Sequence, residues 1–184
     1  MTKKDLRKIY TEKRKALKNT PFLSQQICDT FFLKTDLSNV KIIHLFLPIK
    51  NKKEIDTWLI IKHLWGKFPH IKIVVPVSDF STNTMLSVEI TKNSELIENK
   101  YGILEPTSRD SIDDKLIDLV LTPLLVSDRK GFRVGYGKGF YDRFFSNQCK
   151  KEVKKIGLSF FQPIKSIEDV DKYDVALDAC IYLD

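Results

Sequence analysis

Four of the seven glycines in this 184-residue chain, Gly131, Gly135, Gly137 and Gly139, lie within nine residues. They are embedded in DRKGFRVGYGKGFYDRFF, after the apolar run DLVLTPLLV and ahead of an aromatic-rich stretch with helical character. A buried strand, a turn that demands unusual backbone freedom and a helix opening out of it are the repeating unit of layered α/β proteins. Arg129, Lys130, Arg133 and Lys138 interleave with the glycines and make the turn positive. Small residues let backbone N–H groups approach anionic oxygens, and the N-terminus of the next helix adds a favourable dipole, so the layout predicts an anion cradle.

The spacing excludes two familiar phosphate loops. Phe140 stands where the dinucleotide fingerprint GxGxxG requires its last glycine, and no GxxxxGK[ST] occurs. An ordinary glycine-rich turn has the same spacing. The basic residues and the following Tyr141-Asp142-Arg143 weigh towards function. A carboxylate just past a phosphate cradle can hold Mg²⁺, which takes one or two carboxylates together with substrate oxygens and water.

Hydrophobic periodicity predicts a first helix from about Lys3 to Lys18, with Leu6, Ile9, Tyr10, Lys13 and Leu17 as its stripe and a strongly basic opposite face. A second helix starts at Pro21 or Ser24 and carries Ile27, Phe31 and Phe32. Val40 to Leu47 reads as a buried strand stopped by Pro48, and Asp56-Thr57 introduces a third helix with Trp58, Ile61, Leu64 and Trp65. Further strands are expected at Ile71–Val75, Met85–Ile90, Leu116–Leu125, Lys155–Ser159 and Asp178–Leu183, with a helix over Phe140–Phe145. The polar stretch Glu95 to Asp114 reads as a long loop. This alternation predicts one α/β domain over residues 1–184, with helices on both faces of a largely parallel sheet.

Composition narrows the partners. A formal net charge of +7 favours anionic ligands, although runs such as KKEVKK at 150 to 155 are ordinary solvated surface. No zinc-finger, RNP or basic-zipper pattern points to nucleic acid. Cys28, Cys149 and Cys180 lack CxxC spacing and indicate neither zinc nor a disulfide framework. The basic start contains Asp5 and Glu12 and no continuous apolar stretch, so a cytoplasmic protein without membrane partners is expected. A monomer without nucleic-acid partners is expected as well. His44, inside an apolar strand, reads as a hydrogen-bonded core residue, and His63 and His70 as surface or capping residues.

RVGYGKGFYDRF, preceded by LVLTPLLVSDRKG, resembles the signature of the 5-formyltetrahydrofolate cyclo-ligase family, also called methenyltetrahydrofolate synthetases. The resemblance extends in order through KKDLRK, IIHLFLPIKNKKEIDT, VVPVSDFSTNTMLSVEI, GILEP and the closing YDVALDACIYLD. It implies a three-layer α/β/α fold like that of sugar-phosphate isomerases and CoA transferases. It also implies ATP- and Mg²⁺-dependent closure of 5-formyltetrahydrofolate to 5,10-methenyltetrahydrofolate, with release of ADP and phosphate. ATP would be co-substrate, and the folate would include polyglutamylated forms. Phosphorylation of the formyl oxygen, followed by attack of N10, needs positioning and charge neutralisation rather than a protein nucleophile.

Matched motif by motif, the resemblance implies ATP contacts from Lys3, Lys4 and Arg7 and from the loop residues Arg133, Gly135, Tyr136, Gly137, Lys138, Gly139, Phe140 and Tyr141. Lys138 and Tyr141 would be catalytic, and Asp142 and Asp178 would associate with magnesium. Glu54 would bind the pterin, whose amidine-like edge suits a carboxylate acceptor, with Leu47, Met85 and Tyr141 beside it. Two departures stand out: the segment from Pro48 to Glu54 is about two residues longer than in short members, and Tyr173 stands where many bacterial relatives have histidine. The residues by themselves also admit a same-fold enzyme acting on a sugar phosphate or another anion without ATP, or a basic nucleic-acid-binding module; ATP dependence separates these.

Overall fold

Strands buried on both faces read as continuous apolar runs, and four of these form the centre of the molecule. The computed structural model describes residues 1–183. In chain order the elements are α1 (Lys3–Ala16), α2 (Thr20–Lys34), β1 (Ile42–Leu45), α3 (Trp58–Lys67), β2 (Lys72–Asp79), β3 (Thr84–Ile90), β4 (Leu96–Glu98), β5 (Leu104–Pro106), β6 (Leu119–Pro123), β7 (Val126–Ser127), β8 (Arg133–Val134), α4 (Phe140–Asn147), β9 (Lys154–Leu158) and β10 (Ala179–Ile181). Six strands form one sheet in the order β10-β9-β6-β1-β2-β3, parallel throughout except for the antiparallel β2–β3 pair. The expected α/β architecture with a largely parallel sheet is therefore present.

Alternate residues of each central strand serve opposite layers. Ile43, Leu45, Ile73, Val75, Leu119 and Leu121 join the α2–α3 core with Ile27, Phe31, Ile60, Ile61 and Leu64. Val74 and Val120 join Phe144 and Phe145 of α4 on the other side. At about 25 cal/mol per Å² these wholly buried side chains supply the main drive to fold. His44 lies on the α4 side, 4.8 Å from the Phe144 ring, and is fully buried. Neither of its ring nitrogens has a hydrogen-bond partner, so it is a core residue without the hydrogen bond expected of it. Burial drives its pKa down to about 3, and the ring stays neutral.

Several expectations need correction. The Glu95–Asp114 region is not a plain loop, because β4 and β5 pair within it as an antiparallel hairpin. The Leu116–Leu125 run is broken: a short 3-10 turn over Asp114–Leu116 precedes β6, and the chain then enters the β7–β8 hairpin. Pairing of the first strand covers only four residues of Val40–Leu47. On α1, capped by Thr2, whose hydroxyl accepts from the Asp5 N–H, the buried positions are Leu6, Tyr10 and Arg14. Ile9, expected in the stripe, is exposed, whereas Arg14, not among the expected stripe residues, is 5% exposed.

Gly131 belongs to the β7–β8 turn rather than to the loop of Gly135, Gly137 and Gly139. Its φ is +88°, and a Cβ there would lie 2.4 Å from the Leu177 carbonyl oxygen. Gly131→Ala is expected to destabilise the fold by roughly 3 kcal/mol through the positive φ and this backbone clash. Gly66 of α3 has open space around it, so Gly66→Ala should leave stability unchanged or raise it slightly. Urea titration of both variants checks this, and near-parental stability of Gly131→Ala would contradict it.

Candidate active site

Ligands of open parallel sheets bind outside the carboxyl ends of the strands, where neighbouring connections leave in opposite directions. Here that point lies between β1, followed in the chain by its neighbour β2, and β6, followed by β9 on the other side. A cleft of about 630 Å³ opens there, floored by Phe46 and Leu47 after β1 and by Leu124 and Leu125 after β6. One wall is the glycine loop; Phe80 and Tyr101, with ring centroids 4.1 Å apart, form part of another.

The loop is held open from behind. Arg7 donates from Nε to the Gly135 carbonyl at 2.9 Å. Its guanidinium lies 3.0 Å from where a Cβ on Gly137 would stand, and Gly137 has φ +85°, so any side chain there would be strained and would press on the arginine. Arg143 donates to the Lys138 carbonyl and, at 3.0 Å, to the Asn83 carbonyl, tying the loop to the β2–β3 turn. Gly139 caps α4, whose first-turn N–H groups have no intrahelical acceptor and lie at the cleft. Lys138 is exposed at the cleft edge. Backbone donors and one exposed cation border the same cleft, as an anion would need.

Beneath the loop, Arg133 donates from Nη2 to Asp142 Oδ1 at 2.7 Å and from Nη1 to the Val175 carbonyl at 2.6 Å. The Val175 N–H donates to the same Asp142 oxygen at 3.1 Å. The Arg133 side chain is 6% exposed and that of Asp142 27%, so the pair is substantially desolvated. Asp174, next to Val175 in the chain, also lines the cleft and is ion-paired to Lys3.

Asp178 is elsewhere. It precedes β10 and accepts from the Lys155 N–H at 2.7 Å, at the amino ends of β9 and β10, and it does not line the cleft. The expected pairing of Asp142 with Asp178 is therefore corrected: the carboxylates that line the cleft beside Asp142 are Asp174 and Glu54. No group of three or more Asp, Glu, His or Cys side chains able to hold a metal occurs among the described residues, and a hard cation that keeps substrate oxygens and water needs only one or two carboxylates.

Glu54 lines the cleft despite the longer segment before it. That segment makes a 3-10 turn at Lys50–Lys52, and Lys53 then caps the end of α1, donating to the Lys15 and Leu17 carbonyls at 2.6 and 2.9 Å. Glu54 Oε2 accepts from the Ile49 N–H at 2.8 Å, and Oε1 accepts from the Tyr136 hydroxyl at 2.7 Å. Burial pushes its carboxyl above the usual range, against the opposing pull of these donors and of Arg14 and Lys52. The Tyr141 hydroxyl is buried without a partner, and burial together with the Glu54 charge raises its pKa, so it remains a neutral donor.

Thirteen of the residues implied by resemblance line the cleft: Lys3, Leu47, Glu54, Met85, Arg133, Asp142 and all seven from Gly135 to Tyr141. Lys4 is exposed and outside it, and Arg7 acts from behind the loop. A profile of the 5-formyltetrahydrofolate cyclo-ligase family matches residues 1–183. The chain belongs to that family. It is 30% identical to the 5-formyltetrahydrofolate cyclo-ligase of Mus musculus, over 99% of this chain and 90% of the mouse protein. Identity to the Escherichia coli K12 cyclo-ligase is 31%, over 70% of this chain and 71% of that one. The solved 5,10-methenyltetrahydrofolate synthetase of Mycoplasma pneumoniae superposes with a TM-score of 0.73 at 27% identity, covering 98% of each chain. The Aquifex aeolicus synthetase, at 24% identity and a TM-score of 0.76 over 99% of this chain and 90% of that one, supports the fold.

As a cyclo-ligase of this family, the chain is an ATP-dependent enzyme converting 5-formyltetrahydrofolate to 5,10-methenyltetrahydrofolate. Residue patterns did not single out Arg14, Phe80, Tyr101 or Asp174 for this cyclo-ligase site, and Arg143 only as part of Tyr141-Asp142-Arg143. Arg14 at i+4 from Tyr10 and i+8 from Leu6 was the one available signal, a cation in register with a buried stripe.

Proposed function

We propose that the cleft activates the folate by moving the γ-phosphoryl group of ATP onto the formyl oxygen, after which N10 attacks the formyl carbon. N10 loses its proton, the C–O bond breaks with its electron pair leaving on phosphate, and the methenyl bridge remains. What supports this above all is one cleft that combines a glycine cradle and Lys138 with a carboxylate, Glu54, set among the apolar Leu47 and Met85.

The loop N–H groups and Lys138 take the phosphate charge, and a site of positioned donors lowers the barrier without a protein nucleophile. Magnesium held by Asp142 and Asp174 would neutralise charge on the transferring group. Tyr141 donates its unpartnered hydroxyl to the formyl or phosphoryl oxygen. Glu54 accepts from the donor edge of the pterin, and Leu47 and Met85 exclude water around the ring. The net charge of +7 favours polyglutamylated folates. The proposed enzyme is a monomer acting in the cytoplasm without nucleic-acid or membrane partners. No helix of the described residues is long and apolar enough to cross a membrane.

The test is an assay of purified protein with 5-formyltetrahydrofolate and magnesium, with and without ATP, followed through the near-ultraviolet absorbance of the methenyl product. Product that appears only with ATP, with one ADP formed per turnover, is the expected result. ADP released without methenyl product would overturn phosphorylation of the formyl oxygen.

A further inference from the structure

Arg14 Nη2 lies 2.5 Å from the Tyr136 hydroxyl, and that hydroxyl lies 2.7 Å from Glu54 Oε1. Arginine can only donate, so the tyrosine oxygen accepts from Arg14 and its single proton is directed to the carboxylate. The chain of bonds has one direction. The Arg14 guanidinium also sits 5.5 Å from the Tyr136 ring centroid, an attractive placement that holds the ring. On the other side of the carboxylate, the Ile49 N–H donates to Oε2 at 2.8 Å.

Each Glu54 oxygen thus receives one donor from the protein and keeps lone-pair capacity for one more. A carboxylate so braced has its plane set and presents two parallel acceptor positions, the complement of an amidine-like N–H pair. We infer that Arg14 and Tyr136 are positioning residues for Glu54: a one-way hydrogen-bond relay from α1 through the glycine loop orients the carboxylate for the paired donor edge of the pterin. This rests on Glu54 being the pterin carboxylate. It also accounts for a charged side chain on the buried stripe of α1, where packing alone would favour an apolar residue.

The groups facing Glu54 are Arg14 from α1, Tyr136 from the loop, Tyr141 from α4 and Lys52 from its own segment. The Tyr136 hydroxyl stabilises the ionised carboxylate against burial, so its removal lets Glu54 protonate at higher pH.

The experiment is steady-state kinetics of Tyr136→Phe and Glu54→Gln against the parent, varying folate and ATP separately from mildly acid to mildly alkaline pH. Tyr136 is 42% exposed and only its oxygen is removed, so the variant keeps the fold. For Tyr136→Phe the folate KM is expected to rise about tenfold, from loss of a hydrogen bond to a charged group. The ATP KM should stay within about twofold and kcat within about threefold, and the acid limb of kcat/KM for folate should move to higher pH, which loop damage would not cause. An unchanged folate KM with an unmoved acid limb overturns the relay, as does equal loss in both KM values and kcat. Glu54→Gln separates the two levels: if it weakens folate binding while Tyr136→Phe does not, the relay alone fails. If Glu54→Gln leaves the folate KM unaltered, Glu54 is not the folate carboxylate and both fail.

Discussion

Asp142→Asn is expected to lower kcat by about a hundredfold or more at ordinary magnesium, with part of the loss recovered when magnesium is raised. Two effects combine. Asparagine keeps an oxygen where the Val175 N–H and Arg133 donate but removes the charge that a hard cation requires. It also leaves the buried Arg133 guanidinium, 6% exposed, without its counter-charge. Removing one member of a buried pair costs about 3–5 kcal/mol, and the retained acceptor brings this to the lower end. A melting temperature lower by roughly 10 °C follows for a chain of this size.

The comparison among carboxylates is the sharper part of this result. Asp174→Asn should shift the magnesium requirement in the same direction as Asp142→Asn, and Asp178→Asn should not, since Asp178 braces the amino ends of β9 and β10 instead. Rates measured against magnesium concentration decide it. A shifted response in Asp178→Asn alongside a parental one in Asp174→Asn would refute the assignment.

Lys138→Ala should reduce kcat by about a hundred- to a thousandfold, the scale of losing one positioned donor to developing charge. The folate KM should remain within about twofold, because Lys138 is proposed for the phosphate end of the cleft and Glu54 for the pterin end. The side chain is exposed and its variant should melt with the parent. Loss confined to kcat identifies an interaction made in the transition state. A kcat within about threefold of the parent would remove Lys138 from the mechanism.

The positions most visible from sequence were those where local chemistry decides structure. Gly137 and Gly139 adopt positive φ, which side chains rarely tolerate, so the loop had to be written in glycine. The central strands were equally visible, because burial on both faces leaves an unbroken apolar run. Lys138 and Tyr141 could be placed at the cleft because they are bound in register to that loop.

Residues joined to the site only through tertiary contacts were hidden. Asp174 and Asp178 stand four apart in an irregular stretch with no period, and the start of β10 at Ala179 is what sends one to the cleft and the other to the amino ends of the sheet. Arg14 resembled a solvated helix charge until α1 packed beside the β7–β8 hairpin and brought it to Tyr136, 122 residues away. Sequence alone determined the layer type, the central strands and the glycine loop, because each follows from backbone conformation or from burial over a few neighbours. The tertiary structure decided which carboxylates and cations converge, because that depends on strand order and helix docking, which no local pattern encodes.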